Sequence, residues 1–253
     1  MRHTILRAAT LAAALLAVLT TLPAASAGPA ARGTVDITPP EVGSCHDLTY
    51  DEAWNFADPD PAVDCTTEHT SVTLKVLTFD KTPDWNDDDA LADIYYPPCE
   101  RALLRLFDGK AKALAASAFD FWWFGPTKAQ RDAGAKWVRC DVALAAGARF
   151  VPLPTDGDPE LGSLPLDDSV ARCRRRKSHE TFPTACSASH AYRATEILKY
   201  PSETYPGVRR IKQWTYRKCD ARLGRSFGYY SWPGRVRWRI GIPSSLCYKT
   251  TTN

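Results

Sequence analysis

Just after His69 the chain alternates. Val72, Leu74, Val76 and, less cleanly, Phe79 are separated by polar residues, the period-two pattern of a strand with one buried face. Near the C-terminus Arg235, Arg237 and Arg239 alternate with Val236, Trp238 and Ile240, which predicts another strand, arginines towards water and apolar side chains towards a core. Asp87, Asp88 and Asp89 mark a helix start, because carboxylates suit the unpaired amides and the dipole at a helix N-terminus. A second helical stretch, residues 100–118, carries Leu103, Leu104, Phe107 and Leu114, and Pro97-Pro98 is expected to separate the two. The pattern throughout is strands, helix, then strands.

One apolar run stands apart from these elements. Residues 11–22 are apolar, follow Arg2, His3 and Arg7, and precede the small residues Ala25, Ser26 and Ala27. This is the layout of a secretory signal over residues 1–27, with a linker at 28–41. Its 12 residues fall short of the roughly 20 that a membrane span needs, so no stable span is expected after cleavage; an uncleaved anchor is the alternative. All eight cysteines (Cys45, Cys65, Cys99, Cys140, Cys173, Cys186, Cys219 and Cys247) lie behind the signal, which predicts a disulfide framework in an extracytoplasmic protein.

The cysteines also reveal an internal repetition. Cys65-Thr-Thr-Glu-His69 answers Cys186-Ser-Ala-Ser-His190, and the ten following residues align without a gap. Further on, Cys99, Leu103, Arg105 and Phe107 answer Cys219, Leu223, Arg225 and Phe227, and Pro126, Gly134 and Cys140 share their spacing with Pro233, Gly241 and Cys247. Four blocks in the same order indicate a duplication. Copy one covers residues 42–153, an exposed Pro/Gly linker 154–166, and copy two 167–253. A duplicated unit should carry its own bridges, so the expected pairs are Cys45–Cys65, Cys99–Cys140, Cys173–Cys186 and Cys219–Cys247. Each such closure is worth roughly 3 kcal/mol in the chain-entropy account. The fold class is therefore α+β: two tandem disulfide-stabilised repeats, each a small antiparallel sheet with one or two helices.

Composition, 44% hydrophobic and 24% charged over 253 residues, is that of a globular chain and excludes collagen-like or wholly disordered readings. The net charge of +3 conceals more than it tells. Residues 28–166 hold 12 Lys/Arg against 23 Asp/Glu, or −11, and residues 167–253 hold 18 against 6, or +12.

Several residues invite chemistry. Gly224-Arg-Ser226-Phe-Gly228 has the form of a nucleophile elbow, but Ser226 aligns with Leu106 in a predicted helix and no histidine follows His190. His69 and His190 each sit four residues after a cysteine, a spacing that could hold zinc; paired cysteines favour structural histidines beside disulfides and no metal. The aromatic run containing Trp122 and Trp123 could stack on sugar rings or pack a core. Arg172, Arg174, Arg175, Arg176 and Lys177 form the densest basic run, suited to a solvated loop, to acidic envelope polymers or lipid, or to the acidic copy one.

Val42 to Cys45 (V-G-S-C), the segment V-D-C-T-T-E-H ending at His69, the mid-domain Cys99, and the closing block from Pro126 through Trp137 to Cys140 together resemble the septum formation domain of actinobacterial exported proteins. Copy two is a degenerate match in which Ser244 replaces the equivalent of Trp137, so a ligand site built on the closing block is not expected there. The resemblance brings no catalytic residues. It implies an exported, cofactor-free binding or structural protein of the cell envelope, linked to septum formation, division or wall assembly. The expected partner is a cell-wall polymer or envelope protein, not nucleic acid. The competing reading is a small wall hydrolase using His69 with Glu68 or Asp64.

Overall fold

The computed structural model describes residues 34–251; the expected signal at 1–27 and the first part of the linker at 28–41 lie outside the described residues. Two antiparallel sheets organise the rest. The first contains β1 (Cys45–His46), β2 (Ser71–Thr78), β3 (Phe119–Phe124) and β4 (Trp137–Leu144) in the order β1-β2-β4-β3. The second contains β5 (Arg172–Lys177), β6 (Glu180–Ala185), β7 (Tyr192–Lys199), β8 (Phe227–Ser231) and β9 (Ser244–Thr250) in the order β6-β5-β7-β9-β8. Helices α1 (Asp88–Leu106), α2 (Ala111–Ala116) and α3 (Lys128–Asp132) accompany the first sheet in sequence, and α4 (Val208–Leu223) and α5 (Arg235–Arg239) the second. The class is α+β. The disulfides are Cys45–Cys65, Cys99–Cys140, Cys173–Cys186 and Cys219–Cys247, the pairs expected from the internal repetition.

The alternation after His69 becomes β2, a central strand between β1 and β4. Helix α1 starts where the acids place it, the Asp87 side chain accepting from the Ala90 amide at 2.9 Å. It does not stop at Pro97-Pro98, however, but runs through both to Leu106. An interior proline costs about 3 kcal/mol in a lost hydrogen bond and a clash. Against that, Leu91, Tyr95, Cys99 and Leu103, one turn apart, form a single buried stripe spanning the prolines, and the Cys99–Cys140 bridge ties its centre to β4. The break falls instead at Asp108 (φ 53°) and Gly109 (φ 71°), in the left-handed region.

The expected strand at 235–239 is the short helix α5. Alternation over five residues does not fix a period, and in the helix Arg235 and Arg239 share an exposed face while Arg237 turns inward. The basic run at 172–177 is likewise not a loop but strand β5, fully paired with β6. The linker at 154–166 has neither helix nor strand, yet it is not wholly exposed: Leu161 and Leu166, with Leu153 just before them, are buried in the main core.

That core is shared. Leu103, Phe107, Phe119 and Val142 from the acidic half pack in one cluster with Cys173, Tyr192, Ile242 and Tyr248 from the basic half. Backbone bonds cross the seam, Ala118 N–H to Val170 O at 2.8 Å and Ala185 N–H to Ala145 O at 2.7 Å. Two arginines of the basic half complete it. Arg237 donates from Nε to Glu100 Oε1 at 2.5 Å and from Nη2 to Asp120 Oδ1 at 3.2 Å. Arg172, buried, donates to the carbonyls of Ser117 and Phe119 and lies 3.9 Å from Asp120 Oδ2.

Glu100 is fully buried, and burial raises its pKa despite the opposing Arg237 charge. Arg237→Met therefore strands a carboxylate and is expected to destabilise the fold by about 3–5 kcal/mol in urea melts at pH 7. The deficit should shrink in acid, where Glu100 takes up a proton, and Arg237→Met with Glu100→Leu should recover most of it. A single-variant loss below about 1 kcal/mol would place the pair among ordinary surface contacts.

Candidate functional site

Strand β3 is the outer strand of its sheet, and its side chains alternate between the two faces. Trp122 and Trp123 therefore point to opposite sides and cannot form one flat platform. Trp123 stacks on Tyr95 of α1, with centroids 4.4 Å apart and planes 25° apart. Trp122 meets Tyr50, Trp54 and Phe150 edge-on at 5.8, 5.1 and 5.3 Å. Around this edge opens a cleft of about 620 Å³, lined by Tyr50 and Trp54, by Tyr96 and Phe121, and by Phe182 and Pro183 of β6.

The Tyr50–Trp54 wall belongs to the loop closed by Cys45–Cys65, and buried charge fixes that loop to the sheet. Arg139 of β4 pairs with Asp58 of the loop and, at 3.1 Å, with Asp141 of its own strand; Asp141 also accepts from Thr73 Oγ1 at 2.8 Å. The Gly125 amide donates to Phe56 O at 2.8 Å. A Cβ on Gly125 would stand 2.4 Å from the Phe56 ring, so only glycine lets the loop lie this close. With its anchor set elsewhere, Trp54 is left 60% exposed over the cleft mouth, an indole whose position is not explained by core packing.

The other candidate residues are placed as follows. His69 and His190 are both buried, and in each Nδ1 faces the carbonyl two residues earlier, Thr67 O at 2.9 Å and Ala188 O at 2.8 Å. A carbonyl only accepts, so in both rings Nδ1 is the donor of this bond. Cys65 and Cys186 are in disulfides and offer no thiolate, which removes the zinc spacing. Asp64 accepts from Thr66 N and Oγ1 within its own turn, Glu68 is exposed, and neither bonds His69 among the described residues. Trp137 is buried at the start of β4. Ser226 ends a 3-10 turn and donates to Leu223 O, not the strand-to-helix elbow its motif requires.

In the basic run, Arg172 is spent on the seam. Arg174 donates to Thr181 and lies 4.6 Å from the Tyr229 ring, Arg175 stacks over Phe182, and only Arg176 and Lys177 are exposed. Sequence reasoning misses Tyr50, Trp54 and Tyr96; for Tyr50 and Trp54 the available signal is an aromatic in an acidic loop between two bridged cysteines, whereas Tyr96, inside α1, carries no such signal.

A family model described as Septum formation matches residues 42–237. The chain belongs to the septum formation family. The match is one stretch across both halves, beginning at the entry segment before Cys45 and ending within α5 at Arg237, the seam arginine. No curated protein and no solved structure matches the chain. In this septum formation protein the four disulfides point to an oxidising, extracytoplasmic location, and no helix among the described residues is long and apolar enough to cross a membrane.

The buried charges behind the cleft set a pH signature. Burial, with the Arg139 charge, holds the His46 imidazole down at about 4 from its ordinary 6.5, so its contribution to stability is full above pH 6.5 and is lost as pH falls towards 4. Asp141 runs the other way: burial lifts its carboxyl to about 6 from 3.8, so the fold gains stability as pH falls through that window. In the native chain the two oppose each other over this window. His46→Gln leaves Asp141 unopposed, and relative to wild type it should gain about 2 kcal/mol between pH 7 and pH 4.5 in urea melts. Parallel pH profiles for the two proteins would contradict this placement of charge.

Proposed function

We propose that this member of the septum formation family is an exported, non-catalytic recognition protein of the cell envelope, serving septum formation or wall assembly, and that the aromatic cleft beside β3 is its binding surface. The observation that carries the reading is Trp54, a large indole held 60% exposed at the mouth of an aromatic cleft by a disulfide-closed loop. Aromatic side chains at such a mouth suit the faces of sugar rings or an apolar segment of a partner, and neither use needs a cofactor. Disulfides and the secretory layout of residues 1–27 support export. The family links the chain to septum formation through its description.

We further infer that the two halves are divergent copies of one unit. Supporting this, β2–β4 and β7–β9 each shift register at one place, Thr73/Lys75 and Ala194/Glu196, which are equivalent when His69 is aligned with His190. On the same alignment Cys45 opposite Val72 corresponds to Cys173 opposite Arg193. In each half a helix cysteine is bridged to the last strand of its sheet, and a five-residue helix precedes that strand.

Trp54→Ala should leave stability within about 0.5 kcal/mol, as expected for an exposed position, while weakening co-sedimentation with insoluble peptidoglycan at least about tenfold. Equal sedimentation of wild type and variant, or none by either, would remove the cleft as a wall-binding surface.

A further inference from the structure

The basic half carries a second groove that the aromatic cleft does not explain. It runs between α4 and the edge strand β8, has a volume of about 380 Å³, and is lined by Arg209, Lys212, Gln213, Tyr216, Arg217 and Tyr230. The helix residues fall at successive turns, so they share one face, while Ile211, Thr215 and Cys219 take the buried face and the Cys219–Cys247 bridge fixes α4 to β9. The cations are thus held on a rigid element.

Their charges are left unneutralised by the protein among the described residues. Arg209 and Arg210 occupy the first turn of α4, the positive end of the helix dipole, with no acid there. Among the described residues no ion pair takes up Arg209, Lys212 or Arg217, whereas Arg222 on the same helix is paired with Glu196. Unpaired cations gathered along one groove are available to an outside anion. Tyr216, half exposed, stands edge-on to Tyr230 at 5.6 Å and to Phe227 at 5.5 Å, and the Lys212 ammonium lies 5.3 Å from the Trp232 ring.

We propose that the α4–β8 groove binds an anionic glycan, its carboxylates or phosphates paired with Arg209, Lys212 and Arg217 and its sugar rings laid on Tyr216 and Tyr230. Guanidinium forks suit both carboxylate and phosphate, and tyrosine faces suit sugar rings. A nucleic acid would meet the same side chains, but the disulfides point outside the reducing cytoplasm, where envelope polymers supply the anions. A lipid surface needs an apolar ridge to enter it, and this surface is a concave groove whose exposed large apolar side chains on α4 are Val208 and Tyr216.

The test measures binding of the full mature chain, at low and moderate salt, to polygalacturonate, phosphorylated dextran, neutral dextran, inorganic polyphosphate and vesicles containing anionic lipid. Binding to one or both charged glycans is expected, weakening with salt, with none to neutral dextran. The double variant Arg209→Gln, Arg217→Gln should lose at least about tenfold for the charged glycan. Tyr216→Ala should lose glycan binding while retaining that to polyphosphate, and Trp54→Ala should leave all of it unchanged, which separates this site from the cleft. Equal binding by the arginine variant, preference for polyphosphate or vesicles over the glycans, or no binding of either charged glycan would overturn the proposal.

Discussion

The Arg237 guanidinium, lodged between Glu100 and Asp120, is the interaction on which the rest of the molecule depends. Burial works against its charge, but Asp120 and Glu100 outweigh that cost and hold its pKa above the ordinary value. A carboxylate as buried as Glu100 is tolerable only with such a partner, and the partner comes from the other half of the chain. Arg172 joins from β5, so two cations of the basic half are spent on the acidic one. The opposite charges of the halves thus have a structural use at the seam, although most charges of either sign stay on the surface.

Docking the halves in this way adds Phe182 and Pro183 of the basic half to the lining of the cleft. Asp120 of β3 itself lines the cleft beside Phe121, and Arg172, bonded to Ser117 and Phe119, holds β3 against the β5–β6 hairpin whose Phe182 and Pro183 also line it. The α4–β8 groove and the space between α1 and β3 are flanked by similarly spaced residues. Trp123 lies opposite Cys140 as Tyr230 lies opposite Cys247, and Tyr96 precedes Cys99 by the same three residues as Tyr216 precedes Cys219. Asp88 borders the first space and Arg209 the second.

Covalent and strongly periodic features were legible in the sequence. The bridges followed from repetition of the cysteine blocks, β2 from alternation, and the start of α1 from Asp87. The passage of α1 through Pro97-Pro98 was not, because a tertiary stripe and a bridge outweigh a local penalty that the sequence displays alone. Arg235–Arg239 was ambiguous, because alternation over five residues does not fix a period. The basic run at 172–177 hid its partners for a simpler reason: Ser117, Phe119, Asp120 and Tyr229 lie far away in the chain. Of the cleft, Trp122 was visible as part of a run, whereas Trp54 gains significance only from its exposure beside that run.

A clamp and a core shared across the seam make the two sheets one cooperative unit, and native-state hydrogen exchange tests that most directly. Amides of β4, such as Val142, and of β9, such as Tyr248, are both central to their sheets and buried. The account predicts that both exchange through a single global opening, with the same free energy and the same dependence on denaturant. Exchange of the β9 amides through an opening that leaves β4 protected would show two independent units and contradict it.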